Sequence, residues 1–243
     1  MSALERVFGS AAPEPGAVAK ATTDPSGASP ADGPLAIRKG VRLLVLYAVV
    51  VLGFSLVALV VELALGDPFS TGRSPGVSRS FEDAAWHLVT GLAIAVPTRR
   101  RALIVLTPVF ALAIDVDHVF GSLLPTVVPR EAHDLFFLVA IALVFLPLAG
   151  RAWTQLAIGA TLVHLGADGG SFPLLAPVTT QSWAFPFAVA VVTIVAAALL
   201  VGLSGRTPRE LVRPAYLVPT AAAVVVILLA GFAVGWIQVF SGA

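Results

Sequence analysis

Residues 41–65 read VRLLVLYAVVVLGFSLVALVVELAL, an apolar run with a single charge near each end. A hydrocarbon core of about 30 Å requires roughly 20 apolar residues in a helix. This stretch reaches that length, whereas a cleaved secretory signal has a shorter apolar core directly after a basic start. The run therefore predicts a membrane-spanning helix that is retained in the protein.

The composition of the whole chain agrees with that assignment. Of its 243 residues, 58% are hydrophobic and 12% are charged, while soluble domains carry about 25% charged residues. The formal net charge of +1 gives no basic field of the kind that nucleic-acid binding requires. The absence of cysteine excludes disulfides and thiolate ligands, so a bound metal would need nitrogen or oxygen ligands. We therefore expect a membrane protein with membrane lipids, and not nucleic acids, as partners.

Seven segments approach the length of a span and predict an all-α, polytopic transmembrane helical bundle. Residues 1–40, rich in Pro, Ala, Gly and Ser, are predicted to be a disordered cytoplasmic tail, and residues 41–243 to be the helical domain. The second and fifth segments are short and partly polar, so six spans with one re-entrant segment remain an alternative. The segments lie at about 41–65, 81–97, 102–122, 132–149, 152–168, 186–203 and 215–238.

The distribution of Lys and Arg predicts the orientation, since these residues favour cytoplasmic flanks. With the tail in the cytoplasm, the outer flanks hold only Arg73, Arg79 and Arg130. All other Lys and Arg residues fall on the inner side. The chain is thus predicted to be a multi-pass protein of the cell membrane with a cytoplasmic N-terminus.

All four histidines fall near the predicted outer ends of spans, and aspartates accompany them. His164 and Asp168 are four residues apart and Asp115 and His118 three apart, so each pair lies on one helix face. Ionisable side chains at membrane depth are costly, at about 2.5 to 3.5 kcal/mol for Asp, and they usually mark a function. The nitrogen and oxygen donors suit zinc first, then manganese or iron, with room for one or two ions. The predicted metal ligands are His87, Asp115, His118, His133, His164 and Asp168.

Simpler roles remain open for some of these residues. His87 fits an interfacial histidine hydrogen-bonded to Asp83 one turn earlier. His133 and Asp134 fit an ordinary helix start, because acidic side chains favour helix N-termini.

The same residues carry a resemblance to a known family. The matching segments, in chain order, are AWHLVTG with His87, IDVDH with Asp115, Asp117 and His118, REAHD with His133, VHLGAD with His164 and Asp168, and SFPLLAP. Together they cover about residues 80–180 and resemble the membrane-bound metal-dependent hydrolases of the YdjM-like, inner-membrane-associated type. The family has a further histidine before the REAHD match, where this chain has Val128.

That resemblance implies a metal-dependent hydrolase. The family is distantly similar to zinc-dependent phospholipase C, which implies hydrolysis of a phosphoester, with a small-molecule or lipid-linked substrate reaching the site at the outer face. Divalent cations would activate water, and a carboxylate, Asp117 or Asp134, would accept the proton. On an ideal helix Asp117 points about 100° away from His118, so it would orient a ligand or bind a second ion unless the helix unwinds there.

Two other classes of protein fit the same residues. A divalent-metal or proton-coupled carrier would use the cluster as its binding site, although carriers place such sites near the midplane between repeats and no repeat is evident. A non-catalytic membrane scaffold would use it as a structural or degenerate metal site. A closed four-ligand ion would favour the scaffold, and a continuous polar path to the inner face would favour the carrier.

Overall fold

The computed structural model describes residues 34–65, 77–118, 132–168, 171–172, 183–184 and 187–233. Apart from a two-residue antiparallel pair, β1 (Ser171–Phe172) with β2 (Trp183–Ala184), the regular structure of these residues is helical. Two short 3₁₀ helices, Val96–Thr98 and Ile114–His118, lie on either side of α3. The α-helices are α1 (Pro34–Leu65), α2 (Val77–Ala95), α3 (Arg101–Ala113), α4 (Leu135–Ala149), α5 (Arg151–Asp168), α6 (Phe187–Gly205), α7 (Pro208–Leu211) and α8 (Pro214–Ala233).

The all-α class predicted from the sequence is confirmed, and each of the seven predicted segments overlaps one of these helices. By length and composition, three of the described helices can cross a membrane, namely Ile37–Val61, Ala188–Gly205 and Pro214–Ala233. Helix α4 is apolar but shorter. The remaining segments are short or carry the polar residues described below, so the count of seven spans remains a prediction.

The first helix begins at Pro34, within the stretch assigned to the tail. Proline is favoured at the first position of a helix, because its missing N–H would have no helical partner there. Residues 1–33 of the predicted tail lie outside the described residues.

Helix α5 is the central element, and it contacts α2, α3, α4 and α6. Glycines on α5 allow α6 to approach closely. A Cβ atom on Gly166 would lie 2.7 Å from Cγ1 of Ile194, and one on Gly159 would lie 2.9 Å from Cγ2 of Val201. The contact between α5 and α6 therefore depends on the absence of side chains at these positions.

An aromatic cluster fills the interior between α1, α3 and α4. The ring of Tyr47 lies 5.1 Å from that of Phe110, 6.0 Å from Phe137 and 6.1 Å from Phe145, measured between centroids. The Tyr47 hydroxyl is 2.7 Å from Oγ1 of Thr161, which itself donates to the carbonyl of Ala157. This buried hydrogen bond ties α1 to α5 one turn before His164.

One end of the bundle collects the basic side chains, and we call it the basic end. The Arg206 guanidinium donates to the carbonyl of Thr98 at 2.8 Å and lies 5.4 Å from the Tyr216 ring centroid. Arg79 is the one described Lys or Arg that lies elsewhere, near the start of α2. The basic end contains Arg38, Lys39, Arg42, Arg99, Arg100, Arg101, Arg151, Arg206, Arg209 and Arg213.

A single acidic side chain, Glu210, lies at the basic end among the described residues. Its carboxylate accepts hydrogen bonds from the backbone N–H of Thr207 at 2.8 Å and from the Thr207 hydroxyl at 3.1 Å. Those hydrogen bonds lower the pKa of Glu210, because they stabilise its ionised form. Glu210 therefore serves as part of a cap for the short helix α7.

Large apolar side chains project outward from several helices. Val45 on α1, Leu143 on α4, Val192 on α6 and Val226 on α8 are all more than half exposed. Exposed apolar surface on this scale marks a membrane or protein contact. Together with the three long apolar helices, it is compatible with membrane association.

Candidate metal centre

The end of the bundle opposite the basic end collects the histidines and aspartates, and we call it the His/Asp end. Helix α5 connects the two ends, running from Arg151 to Asp168 over about 25 Å. The His/Asp end comprises Asp83 and His87 of α2, Asp115, Asp117 and His118 after α3, His133 and Asp134 before α4, and His164 and Asp168 of α5. The convergence of these residues from separate parts of the chain agrees with the prediction from helix direction.

Two imidazole nitrogens lie close together at the centre of this end, and each lies near the same two carboxylate oxygens. Nε2 of His133 lies 2.9 Å from Nε2 of His164. Oδ1 of Asp115 is 3.7 Å from the His133 nitrogen and 3.3 Å from the His164 nitrogen. Oδ2 of Asp168 is 3.6 Å and 3.4 Å from the same two nitrogens. Ligands at about 2.0 to 2.1 Å around a tetrahedral zinc ion are separated by about 3.3 Å, so these spacings fit a divalent cation. We call these four atoms the central set.

The two histidines of the central set have their other ring nitrogens directed at oxygen atoms. Nδ1 of His164 lies 2.9 Å from the carbonyl oxygen of Ala111, so this nitrogen carries the proton and Nε2 presents a lone pair. Nδ1 of His133 lies 3.5 Å from Oδ2 of Asp117, and that oxygen accepts a hydrogen bond from the backbone N–H of Ala132 at 3.4 Å. Such outer partners fix the tautomer and orientation of metal-binding histidines.

A second group adjoins the central set through Asp168. The other carboxylate oxygen of Asp168, Oδ1, lies 3.1 Å from Nε2 of His87, and Oδ1 of Asp83 lies 3.3 Å from the same nitrogen. The His87 ring stacks on that of His164, with centroids 3.7 Å apart. One donor atom each of Asp83, His87 and Asp115 lies within 4.8 Å of the other two, a spacing that a shared metal ion allows.

The sequence predicts Asp83 as a hydrogen-bond partner of His87 and not as a metal ligand. The spacing of Asp83 and His87 matches that of His164 and Asp168, four residues apart on one helix face. That shared spacing is the signal in the sequence that indicates Asp83 as a ligand.

The 3₁₀ conformation of Ile114–His118 decides where Asp117 points. In a 3₁₀ helix residues three apart eclipse, so Asp115 and His118 share a face, and Asp117 is turned about 120° from His118. Oδ1 of Asp117 lies 3.7 Å from Nε2 of His118, and Oδ1 of Asp115 lies 3.8 Å from that nitrogen. The donor atoms of Asp117, His118 and His133 form a further group within 4.8 Å. The α-helix therefore ends at Ala113, and the segment continues as a more tightly wound 3₁₀ helix instead of unwinding.

Asp134 lies outside these groups of donor atoms. Its Oδ1 accepts from the backbone N–H of Phe137 at 2.6 Å, which caps the N-terminus of α4. The sequence offers two roles for Asp134, one at the start of a helix and one as a proton acceptor. The capping contact corresponds to the first role.

Most of the His/Asp end is withdrawn from solvent. His87, Asp117 and His164 are fully buried, and His133 is 1% exposed. Among the described residues, Nδ1 of His87 and Oδ1 of Asp115 have no hydrogen-bond partner. Buried polar atoms without partners are costly unless a ligand satisfies them. The His118 side chain, 38% exposed, forms the accessible edge of the cluster.

Comparisons with protein-family models, with curated proteins and with solved structures found no match to this chain. The geometry of the His/Asp end and the resemblance of its motifs therefore carry the functional argument.

Proposed function

We propose that this protein is a membrane-embedded, metal-dependent hydrolase of a phosphoester, with a small-molecule or lipid-linked substrate. The observation that carries the proposal is the central set, in which the Nε2 atoms of two histidines each lie within 3.7 Å of two carboxylate oxygens. The central set supplies as many ligands as a closed structural zinc site, but a structural site needs no further ionisable groups. Here Asp117 and His118 extend the cluster toward its accessible edge, as a catalytic site requires.

The residues present fit a divalent cation. His133, His164, Asp115 and Asp168 would hold it, and their nitrogen and oxygen donors suit zinc, with manganese or iron as alternatives. A bound divalent cation supplies a nucleophilic water at neutral pH and polarises the substrate oxygen. The protein's own contribution is to fix the four donor atoms through Ala111, Asp117 and the packing of α5 on α6.

Of the two carboxylates predicted to accept a proton, Asp117 is the better placed. Its Oδ1 faces His118 at 3.7 Å, and its Oδ2 faces His133 at 3.5 Å. It can therefore take a proton from the reacting water, directly or through His118, while remaining beside the metal ligands. Asp134 serves α4 as an N-cap through its Oδ1, so we assign it a positioning role for the segment that carries His133.

A lipid-linked substrate is favoured by the surroundings of the site. Leu135 and Phe136 follow His133 and Asp134 directly, and they are 47% and 40% exposed. Exposed apolar side chains next to a polar cluster would allow a substrate to enter sideways from the bilayer. The phosphate group of such a substrate would lie at the depth of the headgroups.

We further propose the predicted topology of seven spans, with a cytoplasmic basic end and an outward-facing His/Asp end. The charge difference between the two ends supports it. Because the chain has no cysteine, single-cysteine variants test it cleanly. Glu82→Cys should react with a membrane-impermeant maleimide in intact cells, and Arg209→Cys should react only after lysis. The reverse pattern would overturn the proposed orientation.

The activity itself is tested with zinc-loaded protein in detergent micelles. We expect metal-dependent hydrolysis of bis(4-nitrophenyl) phosphate or of phosphatidylglycerol, and a loss of about 10²- to 10⁴-fold in kcat for Asp117→Asn. Glu82→Gln, an exposed carboxylate variant on the same end, should retain the activity. Absence of hydrolysis in the metal-loaded protein would overturn the proposal, and zinc uptake by proteoliposomes would then favour the carrier.

A further inference from the structure

We propose that the His/Asp end binds two divalent cations, with Asp168 as the bridge between them. The proposal deepens the proposed function and rests on its assignment of the central set as the first ion site. The second site would be formed by Asp83, His87 and Oδ1 of Asp168, with Asp115 beside them. Its ligand class is a divalent cation that accepts carboxylate and imidazole donors, such as zinc or manganese.

The two oxygens of Asp168 point to different partners. Oδ2 faces the nitrogens of His133 and His164 at 3.6 Å and 3.4 Å, while Oδ1 faces Nε2 of His87 at 3.1 Å. A carboxylate shared in this way is the arrangement expected of a bridging ligand. Metal ions in paired sites lie about 3.5 to 4 Å apart, which one carboxylate can span.

The donors on the far side of Asp168 have spacings suited to a common ligand. Nε2 of His87 lies 3.3 Å from Oδ1 of Asp83 and 3.1 Å from Oδ1 of Asp168. These values match the separations within the central set and the separations of about 3 Å between neighbouring ligands of a small divalent cation. Asp115 can contribute to both sites, since it belongs to a ligand group with His87 and Asp83 and to one with His133 and His164.

The burial of His87 supports an ion at this position. The side chain is fully buried, and neither of its ring nitrogens makes a hydrogen bond of good geometry within the described residues. Its Nε2 is directed at two carboxylates, and the ring is held flat against that of His164. A cation between His87, Asp83 and Asp168 would satisfy the nitrogen and neutralise the carboxylates together.

The competing explanation is that His87 only orients Asp168. In that arrangement a protonated His87 would sit between Asp83 and Asp168 as an ion pair, and a single cation would occupy the central set. The two explanations differ in the number of ions bound, which is measurable without an activity assay.

The test is the metal content of the full-length protein, purified in detergent and loaded with zinc alone. We expect two equivalents in wild type and in Glu82→Gln, which removes the carboxylate next to Asp83 in the sequence. Asp83→Asn and His87→Ala should each retain one equivalent, and His133→Ala should also lose one. One equivalent in wild type, or two in both Asp83→Asn and His87→Ala, would overturn the second site.

Electron paramagnetic resonance of the wild-type protein tests the second site even if a variant fails to fold. Wild-type protein loaded with Mn²⁺ should give the electron paramagnetic resonance signal of a spin-coupled pair, and Asp83→Asn that of an isolated ion. An isolated-ion signal in fully loaded wild type would contradict the bridge. The metal content and the activity together separate this proposal from the proposed function. Two bound ions without hydrolysis would overturn only the hydrolase, and hydrolysis with one bound ion would overturn only the second site.

Discussion

The charged groups at the two ends of the helical bundle lie in opposite environments. At the basic end most of the charged groups are exposed, and the contacts of Arg206 and Lys39 are with a carbonyl or an aromatic ring. At the His/Asp end the ionisable groups are mostly buried, and their closest partners are one another. Exposed charges are solvated and set orientation, whereas buried convergent charges need a ligand to balance them. Charged groups therefore have different functions at the two ends, because they differ in burial and in convergence.

The largest effect expected from this difference is on stability after metal removal. A ligand that binds only the folded state, at a free concentration a thousand times its Kd, stabilises that state by about 4 kcal/mol. Chelation should therefore lower the Tm of wild type strongly, and that of Arg209→Gln at the basic end equally. In His133→Ala, which keeps one of the two proposed ions, the chelator should lower the Tm less than in wild type. An unchanged Tm in chelated wild type would show that the two ends do not differ in this way.

A smaller effect is expected from filling the contact between α5 and α6. Gly166→Leu would place a side chain where a Cβ already lies 2.7 Å from Ile194, and overpacking of this kind costs about 1 to 3 kcal/mol. Because Gly166 lies between His164 and Asp168, zinc affinity should fall as well. The matched control is Gly53→Leu, where a Cβ would meet no atom within 4 Å.

Unfolding in detergent and zinc titration measure the two quantities. Equal losses of stability in Gly166→Leu and Gly53→Leu would mean that helix packing does not support the metal centre. A loss of stability without a loss of zinc affinity in Gly166→Leu would mean that α6 supports the fold alone.

The smallest effect on stability is expected from removing two tyrosine hydroxyls, that of Tyr47 on the side of the His/Asp end and that of Tyr216 on the side of the basic end. Tyr47→Phe removes a buried hydrogen bond to Thr161, one turn before His164, and should cost about 1 kcal/mol. Tyr216→Phe removes a longer bond, 3.2 Å, to the carbonyl of Ala198 and should cost less. Thermal unfolding of both variants measures the difference, and a larger loss in Tyr216→Phe would contradict it.

The sequence was sufficient for the all-α class and for the convergence of His and Asp, because helix direction and side-chain spacing are visible in it. His164 and Asp168, four residues apart, lie together as their spacing predicts. The change from α-helix to 3₁₀ helix at Ile114, in the segment that carries Asp115, Asp117 and His118, could not be specified by the spacing alone. The carbonyl of Ala111 beside His164 is a backbone contact between distant segments, and residue identity carries no signal for it.

The described helices differ in the apolar length that they offer to a membrane. Helices α2 and α5 carry the polar residues of the His/Asp end and fall below the apolarity expected of a span, whereas α1, α6 and α8 reach it. A helix that lines a polar site has fewer apolar residues, so hydropathy identifies membrane-spanning helices least well where the functional residues lie.

The most direct test of the central claim is X-ray absorption spectroscopy of zinc bound to full-length protein. The account predicts nitrogen and oxygen ligands at about 2.0 to 2.1 Å, with the outer scattering of imidazole rings. In the double variant His133→Ala/His164→Ala this imidazole contribution should fall, while in Arg206→Lys at the basic end it should be unchanged. Zinc surrounded only by oxygen in wild type, or an unchanged imidazole contribution in the double variant, would contradict the assignment of the His/Asp end as a metal centre.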